Sequence, residues 1–310
     1  MTNSIPELEN AKCIFVIGSN TTEAHPLIGS RILKAKEKGA KLIVADPRRI
    51  QLSFYADIFV RHQLGTDVAL INGIMNVILK EKWYDRKFVE ERTEGFKDFQ
   101  KVVEKYTPES VEKITGVKAE DIRKIADLYA RSESSSIVYA MGITQHITGV
   151  DNVKSLANLA MLCGQIGRES TGVNPLRGQN NVQGACDMGG LPNVFPGYQP
   201  VSDSQIAERF EKAWGTKLSN KPGLTVTEML KAAMTGELKA MFILGENPMV
   251  SDADIQHVEK SLEALDFLAV QDIFMTETAR LADVVLPGVS FAEKNGTFTI
   301  QRGRSRGSEK

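Results

Sequence analysis

The sequence predicts an α/β fold made of two doubly wound lobes with mostly parallel sheets. The first observation is a repeated unit in which a short apolar strand, a polar loop and a helix follow one another. The second is that the strands are apolar throughout, which is typical of a parallel sheet covered by helices on both faces. The third is that polar, glycine-containing loops follow the strands, as in folds that bind ligands at the carboxyl ends of their strands.

The first βαβ unit shows how each element is recognised. CIFVI (13–17) predicts a strand, GSNTTEAHP (18–26) a loop, and residues 27–38 a helix that Gly39 ends. KLIVA (41–45) predicts the next strand, with DPRR directly after it. A unit of this size implies a right-handed crossover between two parallel strands.

The same pattern continues along the chain. The further strands are predicted at 136–140, 241–244, 267–270 and 283–286. A period of 3.6 residues predicts helices at about 67–82, 94–105, 119–131, 152–166, 204–214 and 226–234. Residues 167–201 show neither period, and a structureless loop of this length is either functional or a linker. Its Arg177, Cys186 and Phe195 among glycines favour a functional loop.

Composition and charge exclude several classes of protein. The 310 residues include 38 Lys plus Arg and 39 Asp plus Glu, a net charge of −1. This argues against a general nucleic-acid binder, which needs a basic face to neutralise phosphates. No apolar run reaches membrane-spanning length, and the polar residues 1–12 predict no signal peptide. Three scattered cysteines favour a reducing, cytoplasmic compartment.

The chain by itself does not predict a metal site. It has no CxxC motif for an iron–sulfur or zinc site and no HExxH motif. Cys163 is expected to be a packed thiol in a helix, and His25 and His146 are expected to be loop or cap residues.

The strand ends predict a ligand site. GSN, DPRR, MGITQ, GENP and QDIF each follow a strand, and Gly18 would let a backbone approach a ligand closely. Asp46 stands where nucleotide sites place the carboxylate that bonds ribose, and a carboxylate can also accept from guanine N1–H and N2–H. Asp272 has the matching place in the second lobe. DPR after a strand is also a common turn, so Asp46 taken alone leaves both interpretations open.

Two nucleotide-binding motifs are missing, and one arginine is notable. No GxGxxG follows a strand, so the ordinary NAD fingerprint is lacking, and no GxxxxGK[ST] occurs, which excludes a P-loop. Arg177 lies among residues that favour irregular backbone, and a guanidinium binds a carboxylate with two parallel hydrogen bonds. On residues alone, a surface-loop arginine is the simpler interpretation.

One long segment resembles a known family. NPLRGQNNVQGACDMGGLPNVFPGYQ (174–199) is similar to the signature of the catalytic alpha subunit of formate dehydrogenases, which are molybdopterin-guanine-dinucleotide oxidoreductases. The resemblance extends through CIFVIGSNTTEAHP, DPRR, TEGF (93–96), YTPESVEKITGV (106–117), MGITQ, GENP, QDIFMTETARLADVVLP and FAEKNGTFT (291–299). It implies two α/β domains that each hold one guanine dinucleotide tail, at 1–178 and 179–300. The basic cluster at 301–310, where the chain departs from the resemblance, is expected to be a disordered tail.

The resemblance also implies cofactors and partners. They are a bis-molybdopterin guanine dinucleotide with molybdenum or tungsten, formate as the substrate, and electron-transfer subunits of the iron–sulfur, NAD-, ferredoxin- or hydrogenase-linked kind. The 4Fe-4S cluster and the cysteine or selenocysteine ligand of the metal are expected upstream of residue 1. A barrel that covers the pterins is expected downstream of residue 300. The chain alone is then expected not to oxidise formate.

Residue roles carry over motif by motif. The first lobe's implied cofactor contacts are Gly18, Asn20, Glu23, Asp46, Arg48, Gly65, Asp67, Met141 and Gln145. The second lobe's are Gln179, Gly245, Glu246, Asn247, Ser251, Gln271 and Asp272. Arg177 matches the arginine that binds and orients formate while its C–H bond gives up a hydride, or a proton and two electrons.

Other functions stay open at this point. The chain could belong to another enzyme of the same superfamily, such as a nitrate reductase, although RGQNNVQGACDMG with Arg177 favours formate. It could be a non-catalytic nucleotide-binding or scaffold module. It could also be an inert truncated chain whose exposed apolar faces drive self-association.

Overall fold

The computed structural model describes residues 1–300 and 304–308. The chain divides into two compact units, Met1–Asn180 and Asn181–Lys310, and each contains a parallel sheet with helices, which confirms the predicted class. The predicted boundary after residue 178 falls just before this division, so Gln179, assigned to the second lobe, belongs to the first unit. Within the described residues, no helix has the length and apolar character needed to cross a membrane.

The first unit is built on a five-stranded parallel sheet in the order β3-β2-β1-β4-β5. Its strands are β1 (Cys13–Ile17), β2 (Lys41–Ala45), β3 (Ile58–Val60), β4 (Ser135–Tyr139) and β5 (Gly172–Pro175). The chain adds strands on one side of β1, then crosses to the other side for β4. The point where the direction reverses, between β1 and β4, is where doubly wound sheets bind ligands.

The apolar run of β1 is explained by burial on both faces of the sheet. Cys13, Phe15 and Ile17 pack into one cluster, while Ile14 and Val16 pack into another on the opposite face. The first face is covered by α3 (Asp67–Lys80), α7 (Ala119–Ala130) and α9 (Gly149–Leu162), and the second by α2 (Pro26–Glu37). The unit's shorter helices are α1 (Thr21–Ala24), α4 (Arg86–Arg92), α5 (Phe96–Val103), α6 (Pro108–Thr115) and α8 (Met141–Thr144).

The second unit has a three-stranded parallel sheet in the order β10-β9-β8. These strands are β8 (Ala240–Leu244), β9 (Phe267–Asp272) and β10 (Val284–Pro287). The helices are α10 (Val182–Asp187), α11 (Ser204–Trp214), α12 (Val226–Met234), α13 (Pro248–Ser251), α14 (Ile255–Glu263) and α15 (Glu277–Arg280). Helices α12 and α14 pack with Ile243 and Val270 on one face of the sheet, whereas Phe242 and Leu244 on β8 are exposed.

One expectation about irregular chain is wrong. Residues 167–201 are not structureless, because they contain β5, α10 and a short antiparallel pair, β6 (Val194–Phe195) with β7 (Gln199–Pro200). Within the predicted disordered tail, β12 (Arg304–Ser308) pairs with β11 (Gly296–Ile300) in an antiparallel hairpin. Residues 301–303 and 309–310 of that tail lie outside the described residues.

Each unit is closed by hydrogen bonds between its beginning and its end. In the first unit, the Thr2 N–H donates to the Val173 carbonyl at 3.2 Å, and the Val173 N–H donates to Thr2 Oγ1 at 2.9 Å. In the second, the Thr299 N–H donates to Asn181 Oδ1 at 2.9 Å. Long-range contacts of this kind set each unit apart as a body of its own.

Candidate nucleotide-binding site

Two glycines meet at the switch point of the first sheet. Gly18 follows β1, Gly142 lies in α8 just beyond β4, and the Gly142 N–H donates to the Gly18 carbonyl at 3.1 Å. Gly18 has φ +56°, and a Cβ added there would lie 2.8 Å from the Gly142 carbonyl carbon. Glycine is therefore required at residue 18 both by backbone conformation and by the close approach.

A cavity of about 460 Å³ lies at this edge of the sheet, where the loops after several strands meet. Its polar or backbone-exposing lining includes Gly18, Ser19, Asn20, His25, Asp46, Arg48, His62, Gly65, Asp67, Gly142, His146 and Gly178. The volume is in the range of small-molecule and cofactor sites. The cavity thus lies at the edge of the sheet where the strand ends predict a ligand site.

Asp46 takes part in both a turn and the cavity wall. Its side chain is 6% exposed, and its Oδ1 accepts a hydrogen bond from the Arg48 N–H at 2.8 Å. An ionised carboxylate can accept about four hydrogen bonds, so closing the turn leaves capacity for a ligand. The two interpretations of DPR are thus compatible.

Two buried polar atoms in the cavity-lining residues have no hydrogen-bond partner, Asn20 Oδ1 and His62 Nδ1. The other ring nitrogen of His62, Nε2, lies 3.0 Å from Asp67 Oδ1, and both side chains are almost completely buried. An unsatisfied buried polar group costs about 1–3 kcal/mol. A bound ligand that supplies the missing partners would recover this free energy.

Most of the first lobe's predicted contacts line the cavity. They are Gly18, Asn20, Asp46, Arg48, Gly65, Asp67 and Met141. Glu23 and Gln145 are exposed and do not line it. Histidines also belong to the wall, and burial lowers the pKa of His25, which favours its neutral ring.

His62 is a polar cavity residue that sequence reasoning missed. It follows β3, whose apolar run of three residues, IFV, is too short to be recognised as a strand. Recognition of β3 would have placed His62 at the same edge as Asp46, because the carboxyl ends of parallel strands share one edge.

Arg177 lies at the margin of this cavity. Its neighbours Leu176 and Gly178 line the wall, and the Leu176 N–H donates to the Tyr139 carbonyl at 2.8 Å. Burial raises the pKa of Tyr139, and the positive charge of Arg177 opposes that rise. The Arg177 side chain is exposed, and within 1–300 and 304–308 no hydrogen bond or ion pair holds its guanidinium. The group is available to an anion.

The predicted contacts of the second unit share a sheet edge. Gly245, Glu246 and Asn247 follow β8, and Gln271 and Asp272 end β9. The Gly245 N–H donates to the Gln271 carbonyl at 2.8 Å, which repeats the Gly18–Ala45 bond of the first unit. Ser251, in α13, donates to Asp252.

Several of these side chains are already engaged within the unit. Asn247 Oδ1 accepts from Thr278 Oγ1 at 2.7 Å, and its Nδ2 donates to Glu277 at 2.8 Å. Asp272 Oδ1 accepts from the N–H groups of Ile273 and Phe274. A cavity of about 130 Å³ beside β8 is lined mostly by apolar side chains, with Glu246 the one predicted contact in its wall.

Neither unit presents a metal centre of its own in the part of the chain that the structure describes. No group of three or more His, Cys, Asp or Glu side chains is placed there to hold a metal ion. Cys13 and Cys163 are buried, and burial raises the pKa of the Cys13 thiol to about 12. These buried, protonated thiols therefore pack as apolar groups in the core.

Comparison with known proteins matches residues 1–310 to the molybdopterin oxidoreductase family model. The chain is 57% identical to the F420-dependent formate dehydrogenase subunit alpha of Methanocaldococcus jannaschii, over 96% of this chain and 44% of that protein. It is 48% identical to formate dehydrogenase H of Escherichia coli, over 99% and 43%. Its structure is similar to acetylene hydratase from Pelobacter acetylenicus, with a TM-score of 0.76 and 26% identity, over 98% and 46%. The chain thus spans less than half the length of these relatives.

Proposed function

Because the chain belongs to the molybdopterin oxidoreductase family, we propose that it is the cofactor-binding core of a formate dehydrogenase catalytic subunit. The observation that carries the proposal is the first unit's cavity at the switch point, whose buried walls present unpartnered polar atoms beside the Asp46 carboxylate. These residues fit the nucleotide end of a pterin guanine dinucleotide. Relatives named as formate dehydrogenase subunits support the choice of substrate.

The chain's residues divide between the two ends of such a nucleotide. Asp46, Asp67 and Asn20 supply oxygen acceptors for ribose hydroxyls and the donor edge of guanine. Backbone at Gly18, the Arg48 guanidinium and the N-terminal end of α2 suit the anionic diphosphate. The second dinucleotide would be held at the β8–β9 edge of the second unit.

Arg177 would bind the substrate carboxylate. Its permanently charged, planar guanidinium can make two parallel hydrogen bonds to the oxygens of formate, which leaves the C–H bond pointing away from the arginine. A lysine keeps the charge but lacks the fork, so it would hold the anion without fixing its orientation. The cofactor, when bound, supplies a molybdenum or tungsten centre that takes up two electrons.

The remaining parts of the enzyme would come from outside this chain. These parts are a 4Fe-4S cluster, the protein ligand of the metal and the electron-transfer subunits. We place the whole enzyme in the cytoplasm. The proposal rests on the length of the relatives, which is more than twice the span that this chain covers.

A chimera tests the proposal directly. This chain would replace the matching residues of the M. jannaschii alpha subunit, which it resembles at 57% identity. We expect formate-dependent reduction of an oxidised dye. We expect no oxidation of the reduced dye when nitrate is offered as the electron acceptor. Arg177→Ala in the chimera should reduce turnover by about a hundredfold or more, because it removes the charged orienting contact, while metal and guanine nucleotide content stay constant. Arg177→Lys should recover only part of the loss.

The control is the metal and guanine dinucleotide content of the purified chimera. A chimera that carries metal and dinucleotide but reduces nitrate instead of oxidising formate would assign the chain to another reaction of the family. Full formate turnover in Arg177→Ala would remove Arg177 from substrate binding.

A further inference from the structure

We propose that His62 determines base specificity in the first unit's cavity: its Nδ1 accepts a hydrogen bond from the N–H edge of guanine. The residue carries no role in the motifs that suggest the family. The inference rests on the proposed function only in placing a guanine nucleotide in this cavity.

His62 is held in one orientation by its neighbour. Nε2 lies 3.0 Å from Asp67 Oδ1, and the side chains are 2% and 3% exposed. A carboxylate only accepts hydrogen bonds, so Nε2 carries a proton, and the proposal assigns the ring no second one. Nδ1 is then a lone-pair acceptor, and it is buried without a partner.

The position of His62 along the sheet edge places it near the base of a bound nucleotide and away from the ribose and diphosphate. Asp46 follows β2, the strand after which nucleotide sites bind ribose. His62 follows β3, one strand further from the switch point, where the backbone at Gly18 and the N-terminal end of α2 suit the diphosphate. A nucleotide that runs along this edge places its base beside His62.

The chemistry of the acceptor selects guanine over adenine. Guanine presents N1–H and N2–H₂ on its Watson–Crick edge, and both are donors. In the same two places adenine presents a bare nitrogen at N1 and a C–H at C2, and its N6–H₂ donor lies where guanine has O6. An adenine bound in the same orientation therefore leaves Nδ1 unsatisfied. A site that loses a buried hydrogen bond with the wrong ligand discriminates strongly against it.

Two substitutions of His62 distinguish the contact of Nε2 with Asp67 from the proposed contact of Nδ1 with guanine. In His62→Gln, the amide reaches as far as Nε2 does, so it keeps a donor for Asp67 but has no acceptor at the position of Nδ1. In His62→Asn, the shorter amide offers an acceptor close to Nδ1 and gives up the bond to Asp67. Isothermal titration calorimetry of the 310-residue chain with GMP and with AMP measures the effect.

We expect the unsubstituted chain to prefer GMP to AMP. His62→Gln should weaken GMP binding by about five- to tenfold and leave AMP binding unchanged, because one hydrogen bond is lost. His62→Asn should retain most of the preference. His257→Gln, at an exposed histidine of α14, should leave both affinities as they are. Thermal melting verifies that each variant is folded.

Equal losses for GMP and AMP in His62→Gln would overturn the inference, because they would mean that His62 only shapes the cavity. An unchanged GMP preference in a folded His62→Gln would overturn it as well, while GMP binding itself would leave the proposed nucleotide site standing. Failure of the unsubstituted chain to bind GMP would overturn both.

Discussion

The parallel sheet of the first unit is buried on both faces, whereas that of the second is covered on one. Around the first, α2 packs on one face and α3, α7 and α9 on the other, so Phe15 is fully buried. Around the second, α12 and α14 cover one face, and Phe242 is 57% exposed. The two sheets carry similar polar motifs after their strands. They differ in what surrounds those motifs.

That difference teaches that strand-end residues do not make a cavity by themselves. In the first unit, loops from β1, β2, β3 and β4 meet around 460 Å³, and buried polar atoms stay unsatisfied. In the second, the side chains of Asn247 and Asp272 already make hydrogen bonds to separate local partners. A ligand there must compete with bonds that already exist, while in the first unit it would supply missing ones.

The largest contrast is expected between the two sheets' aromatic residues. Phe15→Ala should lower the free energy of unfolding of the first unit by about 3–5 kcal/mol, because it leaves a cavity beside Tyr129. Phe242→Ala should lower that of the second unit by about 0.5 kcal/mol or less, since most of the ring already faces water. Equilibrium urea unfolding measures both. Equal losses would show that β8 is covered in solution, as by self-association, which light scattering would detect.

The two glycines that follow the first strand of each sheet provide the next contrast. Gly18→Ala should cost about 2–4 kcal/mol, because it combines a positive φ with a collision at Gly142. Gly245→Ala has φ +63° but nothing within 4 Å, so it should cost only about 1 kcal/mol. Thermal melting compares the pair. A melting curve for Gly18→Ala no lower than that of Gly245→Ala would contradict the close approach.

Substitution of the carboxylates that follow the strands, Asp46 and Asp272, should distinguish a role in ligand binding from a role in turn formation. Asp46→Asn keeps the acceptor for the Arg48 N–H but removes the charge, and we expect about tenfold weaker GMP binding. Asp272→Asn likewise preserves its turn and should leave the GMP affinity of the first unit's cavity unchanged, because Asp272 does not line that cavity. Calorimetric titration distinguishes them. Equal weakening would mean that GMP binds in the second unit instead.

The smallest contrast is in two capping boxes, Ser4–Glu7 and Ser290–Glu293. Burial raises the pKa of Glu7, but hydrogen bonds from Ser4, Asn3 and the Ser170 N–H outweigh it and bring the pKa to about 2. The stabilisation is therefore complete above the ordinary value of 4.5 and is lost as the pH falls towards 2. Glu7→Gln should lower the melting temperature at neutral pH and converge with the unsubstituted chain on acidification.

Glu293→Gln serves as the comparison, since the pKa of Glu293 is lowered by Ser290 alone. At neutral pH its effect on melting should be smaller than that of Glu7→Gln. A pH-independent difference between Glu7→Gln and the unsubstituted chain would remove Glu7 as the source of the acid sensitivity.

Sequence patterns predicted the long, strongly apolar elements well. CIFVI and KLIVA became β1 and β2 with the expected bounds, and 204–214 and 226–234 became α11 and α12. Among short elements the outcome was mixed: nine-residue α12 was recognised, whereas β3 with three residues and α4, α6 and α14 with seven to nine were missed. A helix of about two turns contains few apolar positions, so its period is easily overlooked.

Sequence motifs identified the cavity residues that directly follow recognisable strands. Gly18 and Asp46 follow recognisable strands, and both line the cavity. Glu23 belongs to the same GSNTTEAHP motif but is exposed, because proximity in sequence does not decide which way a helical side chain faces. His62 depends on a contact with Asp67 and on an unrecognised strand, and neither is visible in single-residue patterns.

The hydrogen bonds that join the ends of each unit bear on how the chain folds as it leaves the ribosome. Thr2 must wait for Val173, and Asn181 for Thr299, before either body can close. Because synthesis proceeds at about 5–20 residues per second, the first unit can complete its sheet many seconds before the second has its last strand. The first unit's cavity, whose lining ends at Gly178, would then be assembled while the second unit is still being translated.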